Sequence, residues 1–142
     1  MVDKDVVYGK IRNIQNCLRR IEEDTQGDIK KLKDYRIQDA FVLNVQRAIQ
    51  SAIDMAAHII ADEGWGLVNE LRDNFEILQR NSVIALDLSE RLQNMVHFRN
   101  ISVHEYTKLD LAIMELVLEK RLVDLEDFYS AVVKFFGFVR PV

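Results

Sequence analysis

The stretch RIQDAFVLNVQRAIQSAIDMAAHIIAD, residues 36–62, decides the fold. Ile37, Phe41, Val45, Ala48, Ala52, Met55 and Ile59 recur at three- and four-residue steps. That period lines side chains along one face of an α-helix, so a helix over Arg36–Asp62 is predicted. Ala48, Ala52 and Ala56 are small enough to let a second helix approach closely. The other side reads Asn44, Arg47, Ser51, Asp54 and His58, a polar stripe at the same steps. Asp54 and His58 have the spacing for a carboxylate to orient an imidazole, with an exposed ion pair as the alternative. Arg47 and His58 are the stripe's candidates for lining a substrate site.

The segments on either side supply the cover such a helix needs. Val7, Ile11, Ile14, Leu18 and Ile21 predict a first helix over Asp5–Asp24, stopped at Gly27, with a charged connector from Asp28 to Asp34. Gly64-Trp65-Gly66 reads as a turn, with Trp65 as a lid on helix ends. Asn69 is the expected N-cap of a short third helix holding Leu71, Phe75 and Leu78, and Asn81 its left-handed stop. Asp87, with Glu90 three residues on, is the expected cap of a fourth helix, and Asp110 of a fifth that runs from Leu111 to Phe136 as the longest in the protein. Its core line is Leu111, Met114, Leu118, Leu122, Leu125 and Val132. The apolar tail Phe135–Val142 is expected to dock on this chain or on a partner. No stretch alternates with period two, and the one proline is Pro141. The expectation is an all-α, single-domain bundle of about five helices over residues 1–142.

Composition narrows the function. A net charge of −4 argues against a protein that coats nucleic acid non-specifically, since such affinity comes from Lys and Arg neutralising phosphates. Cys17 is the sole cysteine, which rules out an internal disulfide and suits a small core residue in a reducing compartment. The charged start at Asp3, Lys4 and Asp5 and the lack of any long apolar run predict a soluble, unprocessed, cytoplasmic protein with no membrane association. The histidines at 58, 97 and 104 make no metal-ligand spacing, and no glycine loop suits a nucleotide phosphate, so neither metal nor cofactor is expected.

Chemistry concentrates in Arg99-Asn100-Ile101-Ser102-Val103-His104-Glu105-Tyr106. If the fourth helix continues through it, the apolar line Leu88, Leu92, Met95 or Val96 runs on into Arg99 and Val103, placing a guanidinium where a core side chain is due. Arg is seldom buried unless it meets a carboxylate or another anion, which points to a cleft or subunit interface. Asn100 and His104 stand four apart, so the amide is positioned to orient the ring or to grip an oxyanion. Arg91, His97, Arg99, His104 and Lys108 form a local basic cluster, with His97 a further candidate for lining the substrate. RNA carries its own nucleophile, the 2′-hydroxyl. A nuclease therefore needs a base, an acid and a cation for the developing charge. His104 suits acid–base work and Arg99 the charge. The alternative has Arg99 paired with Glu105 and His104 capping a helix end.

Written as R-N-x-x-x-H-x-Y, the stretch resembles the signature of the HEPN ribonucleases, specifically the HepT toxins of HepT/MntA toxin–antitoxin pairs. No motif position departs from it, and a weaker likeness runs from the first helix through Gln38-Asp39-Ala40 and Asn44 to Leu109-Asp110. The resemblance implies a HEPN-like bundle with a long C-terminal helix and a metal-independent endoribonuclease of mRNA or tRNA. It implies Arg99 and His104 as catalytic residues, Asn100 in support, and a homodimer. It also implies a cognate MntA-like nucleotidyltransferase that silences the toxin by transferring AMP to Tyr106. The competing function is a helical adaptor that binds a nucleotidyltransferase or RNA without cutting.

Overall fold

In the computed structural model, which describes residues 2–139, the chain runs α1 (Lys4–Thr25), a 3₁₀ turn (Ile29–Lys33), α2 (Tyr35–Glu63), α3 (Asp73–Arg80), α4 (Leu86–His104), a second 3₁₀ turn (Tyr106–Lys108), α5 (Leu111–Leu116), a π turn (Val117–Arg121) and α6 (Val123–Phe136). No strand occurs among the described residues, so the all-helical expectation holds.

α2 is the axis around which the others pack. It touches α1, α3, α4 and α6, and Phe41, Val45, Ala48, Ala52, Met55, Ala56 and Ile59 on its predicted face are fully buried. Ile37 at the start of that line is only half-buried. α1 lies along the alanine face and contributes Val7, Ile11, Ile14, Cys17 and Ile21, while Leu18 sits at the edge of the seam. Burial pushes the Cys17 thiol above its ordinary value, against the pull of Arg20 and Arg47, which suits an inert core residue. At the far end, Phe75 of α3 meets Phe128 of α6 edge to face, with centroids 5.3 Å apart.

Caps set the boundaries. Asp3 accepts the backbone N–H of Asp5 at 2.9 Å, Asp34 that of Arg36 at 2.9 Å and Asp110 that of Ile113 at 2.8 Å, each satisfying an orphan donor of a first turn. α1 stops in two successive left-handed residues, Gln26 (φ 52°) and Gly27 (φ 71°), and α2 at left-handed Gly64 (φ 67°). Trp65 beyond it covers the core edge and meets Phe135 edge-on.

Several boundaries differ from expectation. Asn69 does not cap α3; its N–H and that of Glu70 turn back to the Asp73 carboxylate, so the helix starts there. Asn81 is not left-handed, because its amide is occupied with the Ile77 carbonyl at 2.9 Å, and Ser82 (φ 65°) takes the positive φ. Asp87 is not the N-cap of α4. Buried Val83 and Ile84 draw the chain inward so that Ala85 takes the cap position, and Asp87 falls in the first turn, where it pairs with Arg91 at 2.9 Å. The last helix is divided by the π turn: α5 packs on the Ile29–Lys33 turn, whereas α6 packs on α4 and α2. A wider turn resets the face between the two sets of neighbours. The longest helix is therefore α2, with 29 residues. The tail folds back on this chain: Phe138 stacks on Phe136 and meets Tyr8 edge-on, and the Tyr8 hydroxyl donates to the Val139 carbonyl. Arg140, Pro141 and Val142 lie outside the described residues.

Candidate active site

α4 carries the motif to its own C-terminus. The helix runs unbroken through Arg99 and Asn100 and ends at His104; Glu105 closes it through its N–H to the Ile101 carbonyl at 2.8 Å, and Tyr106 stands in the 3₁₀ turn just beyond. The inward line holds as far as Val96 and then turns. Phe98 and Ser102 are buried, while Val103, expected inside, is 41% exposed. On this last turn Gln46 of α2 covers the Ser102 side, its amide oxygen lying 3.3 Å from Ser102 Oγ, while Val103 has no such cover. Ser102 also donates to the Arg99 carbonyl at 2.7 Å, pinning the backbone under the motif.

Arg99 is half-buried, and its Nε is buried with no hydrogen-bond partner among the described residues. Its Nη1 donates to Asn100 Oδ1 at 3.1 Å. The amide oxygen thus holds the guanidinium, and among the described residues no hydrogen bond joins Asn100 to His104. The geometry matters because a spacing of five residues turns Arg99 and His104 about 140° apart around the helix axis. Gln93, His97, Asn100 and His104 share one face, and Asn100 draws the Arg99 fork round toward it. His97 and Asn100 also line an open groove of about 800 Å³ between α4 and the α3 end of the bundle. His97 and His104 are exposed.

The remaining cations of the expected cluster are occupied. Arg91 bonds Asp87 and buried Asp124, each at 2.9 Å, tying α4 to α6. Lys108 pairs with Glu105 at 3.2 Å, and no pair between Glu105 and Arg99 forms among the described residues. The polar stripe of α2 lies elsewhere. Arg47 lines a groove against α1 with Lys10 and Arg20. Asp54 accepts from Gln50 at 2.8 Å and Lys10 at 3.4 Å, so it does not orient His58; that ring accepts the Asp3 N–H at 3.2 Å and lies 3.5 Å from Asp62. At 1.5 Å per residue, His58 stands about 18 Å along α2 from Gln46.

Tyr106 has a partner that sequence spacing does not announce. Its hydroxyl donates to Asp39 Oδ1 of α2 at 2.5 Å, across 67 residues of chain. Burial of the phenol, then the Asp39 hydrogen bond and charge, push its pKa up to about 12. Asp39 and Gln46 are the neighbours of the stretch that sequence reasoning missed. Nothing but helix packing brings them to it, although Asp39 falls within the stretch Gln38-Asp39-Ala40 that carries the wider likeness.

Among the described residues, no cluster of three or more His, Cys, Asp or Glu side chains has metal-binding geometry, and no helix is long and apolar enough to cross a membrane. What the end of α4 offers is an exposed imidazole, a half-buried guanidinium whose Nε has no partner among the described residues, and a phenol held by a carboxylate.

Comparison with known proteins identifies the family. The family model for Ribonuclease HepT-like proteins matches residues 11–132. The mRNA nuclease HepT of Shewanella oneidensis is 37% identical over 129 residues, spanning 90% of this chain and 96% of that protein. A putative RNase of Archaeoglobus fulgidus is 32% identical, spanning 94% of this chain and 89% of that one. Among solved structures, a tri-AMPylated Shewanella oneidensis HEPN toxin in complex with its MNT antitoxin superposes with a TM-score of 0.87 at 36% identity, covering 93% of this chain and 99% of that chain. This chain belongs to the HepT-like ribonuclease family.

Proposed function

We propose that this chain is the toxin of a toxin–antitoxin pair, an endoribonuclease that cleaves RNA through attack of the 2′-hydroxyl on the adjacent phosphorus and is silenced by AMP transfer to Tyr106. The supporting observation is the Arg99–Asn100 bond, which turns a guanidinium with free donors toward the face that carries His104. In the cleavage step an imidazole takes the 2′-hydroxyl proton, the new O–P bond closes a 2′,3′-cyclic phosphate, and the 5′-oxygen departs with a proton from an acid. The Arg99 fork meets the charge that grows on the non-bridging oxygens. The nucleophile comes from the substrate and the cation from Arg99, so no metal is assigned a part.

One motif supplies one histidine, whereas the step wants a base and an acid. A two-fold dimer joining two motifs in one cleft supplies both, and isologous pairing is the commonest oligomer symmetry. The silencing agent in this reading is an MntA-like nucleotidyltransferase, as the AMPylated Shewanella oneidensis toxin bound to its MNT antitoxin suggests. An AMP on Tyr106 brings bulk and a phosphate beside Arg99, where the substrate phosphodiester must lie.

The test is expression of this chain alone, with RNA products examined in chelator. Growth arrest and cyclic-phosphate ends are expected for the parent. His104→Ala should lose both while keeping its helical circular dichroism. A folded His104→Ala chain that still cuts overturns the assignment, and a parent that binds RNA or the transferase without cutting supports the adaptor instead.

A further inference from the structure

Tyr106 is a poor nucleophile as it stands. A phenol whose pKa has been pushed up to about 12 holds on the order of one phenolate per 10⁵ molecules at neutral pH, so transfer by preformed phenolate would be starved. Something must take the proton as the oxygen attacks.

We infer that Asp39 is the general base of nucleotidyl transfer onto Tyr106, accepting the phenolic proton through the hydrogen bond that already joins the two side chains. The inference rests on the reading of Tyr106 as the modified residue. Its own support is geometric: Tyr106 Oη lies 2.5 Å from Asp39 Oδ1, a separation typical of a charge-assisted O–H···O⁻ bond, where the proton has almost no distance to travel. Asp39 makes no ion pair among the described residues that would blunt it, and it sits in the second turn of α2, on a rigid element rather than a loop. Lys108 and Glu105, the charged groups flanking Tyr106, are bonded to each other, and Arg36 lies one turn before Asp39 on α2.

Tyr106 Oη bonds to the α-phosphorus of ATP, the bond from that phosphorus to the bridging oxygen breaks, and pyrophosphate leaves with its electron pair. The phenolic proton passes to Asp39 Oδ1 and from there to solvent. The contact that, after burial, helps raise the pKa of the resting phenol is thus the one that deprotonates it when the phosphorus arrives. Modification then removes the donor, so the Asp39 bond belongs to the unmodified toxin alone.

The experiment follows AMP incorporation by intact mass, with parent or variant chain, ATP, Mg²⁺ and the cognate MntA-like nucleotidyltransferase, over a range of pH and chain concentration. Asp39→Asn keeps an acceptor near the phenol but cannot take its proton. It should lower kcat by roughly 10²–10⁴-fold with little change in KM. Its rate should climb about tenfold per pH unit, as phenolate replaces the lost base, while the parent stays flat above the carboxylate range. Asp39→Glu, which keeps the carboxylate, should recover much of the rate. If Asp39→Asn proves unfolded by circular dichroism, Asp39→Ser takes its place. A folded variant modified within about twofold of the parent rate, with the same pH profile, overturns the inference. A parent that gains no AMP on Tyr106 instead overturns the underlying reading, so the two failures are distinct.

Discussion

Asn100→Ala isolates the bond on which the site reading depends. Asn100 Oδ1 receives Arg99 Nη1 at 3.1 Å, and both side chains are half-buried. A hydrogen bond to a charged group contributes about 1.5–3 kcal/mol, and partial exposure favours the lower end. About 1.5 kcal/mol corresponds to roughly a tenfold drop in kcat/KM. Loss of the guanidinium itself, as a donor to the developing charge, should cost roughly 10²–10³-fold. If the amide acts only by aiming the guanidinium, the two losses will not add. In an Arg99→Ala background, Asn100→Ala should then cost almost nothing, giving a coupling energy near the full ~1.5 kcal/mol. The assay is single-turnover cleavage of a labelled RNA with enzyme in excess, so that the crippled backgrounds stay measurable, and Arg99→Lys provides a second background if Arg99→Ala is too slow. A tenfold loss that persists without Arg99 would refute the reasoning, because Asn100 would then touch RNA or His104 directly.

The clamp between α4 and α6 predicts a stability effect. Asp124 has a side chain only 3% exposed, so Arg91→Ala should cost about 2–3 kcal/mol after discounting for the partial exposure of the arginine, lowering Tm by about 6–9 °C in calorimetry; a fall of under about 2 °C contradicts it. Tyr106 predicts an alkaline signature. Its pKa is raised to about 12, so the native state favours the protonated phenol; the stabilisation is present below the ordinary value near 10 and is lost as pH rises through about 12. Since Tyr106 is 41% exposed, that term should stay under about 1 kcal/mol, and phenolate absorbance is the better readout: Tyr106 should ionise only near pH 12, and Asp39→Asn should lower that midpoint. For the dimer, specific cleavage activity should fall on dilution together with the light-scattering mass; a monomer fully active at nanomolar concentration defeats it.

Helix faces were legible in the sequence because burial repeats with the helix period. Phe41 to Ile59 and Val7 to Ile21 read correctly on that ground alone. The motif was equally plain, since Arg99, Asn100, His104 and Tyr106 are neighbours in the chain. What escaped was decided by tertiary neighbours. Val103 satisfies the periodicity of α4 yet faces solvent, because the neighbouring helices cover Phe98 and Ser102 and leave Val103 outside. Asp87 has cap chemistry but was displaced by the burial of Val83 and Ile84 just upstream. Asp54 and His58 have the right spacing for each other, but Lys10, Gln50, Asp3 and Asp62 compete for them. The pairing of Tyr106 with Asp39 joins two helices 67 residues apart, and no local pattern encodes it.

The π turn at Val117–Arg121 gives the last rod a built-in phase shift. Deleting one of its five residues would restore an ordinary helical ladder, and each residue of that ladder is worth about 100° of rotation. α6 would stay seated, because Phe128 is locked against Phe75 and Asp124 against Arg91. The rotation would therefore fall on α5, swinging it off the Ile29–Lys33 turn and dragging along the Asp110 cap and the short segment that presents Tyr106 to Asp39. Such a chain would give up the burial of Met114 on α5 but keep the rest of its core and every residue of Arg99–Tyr106, yet lose the alignment of Tyr106 with Asp39. Length in that one turn thus decides whether the Tyr106 hydroxyl meets its carboxylate, and with it the silencing step proposed above.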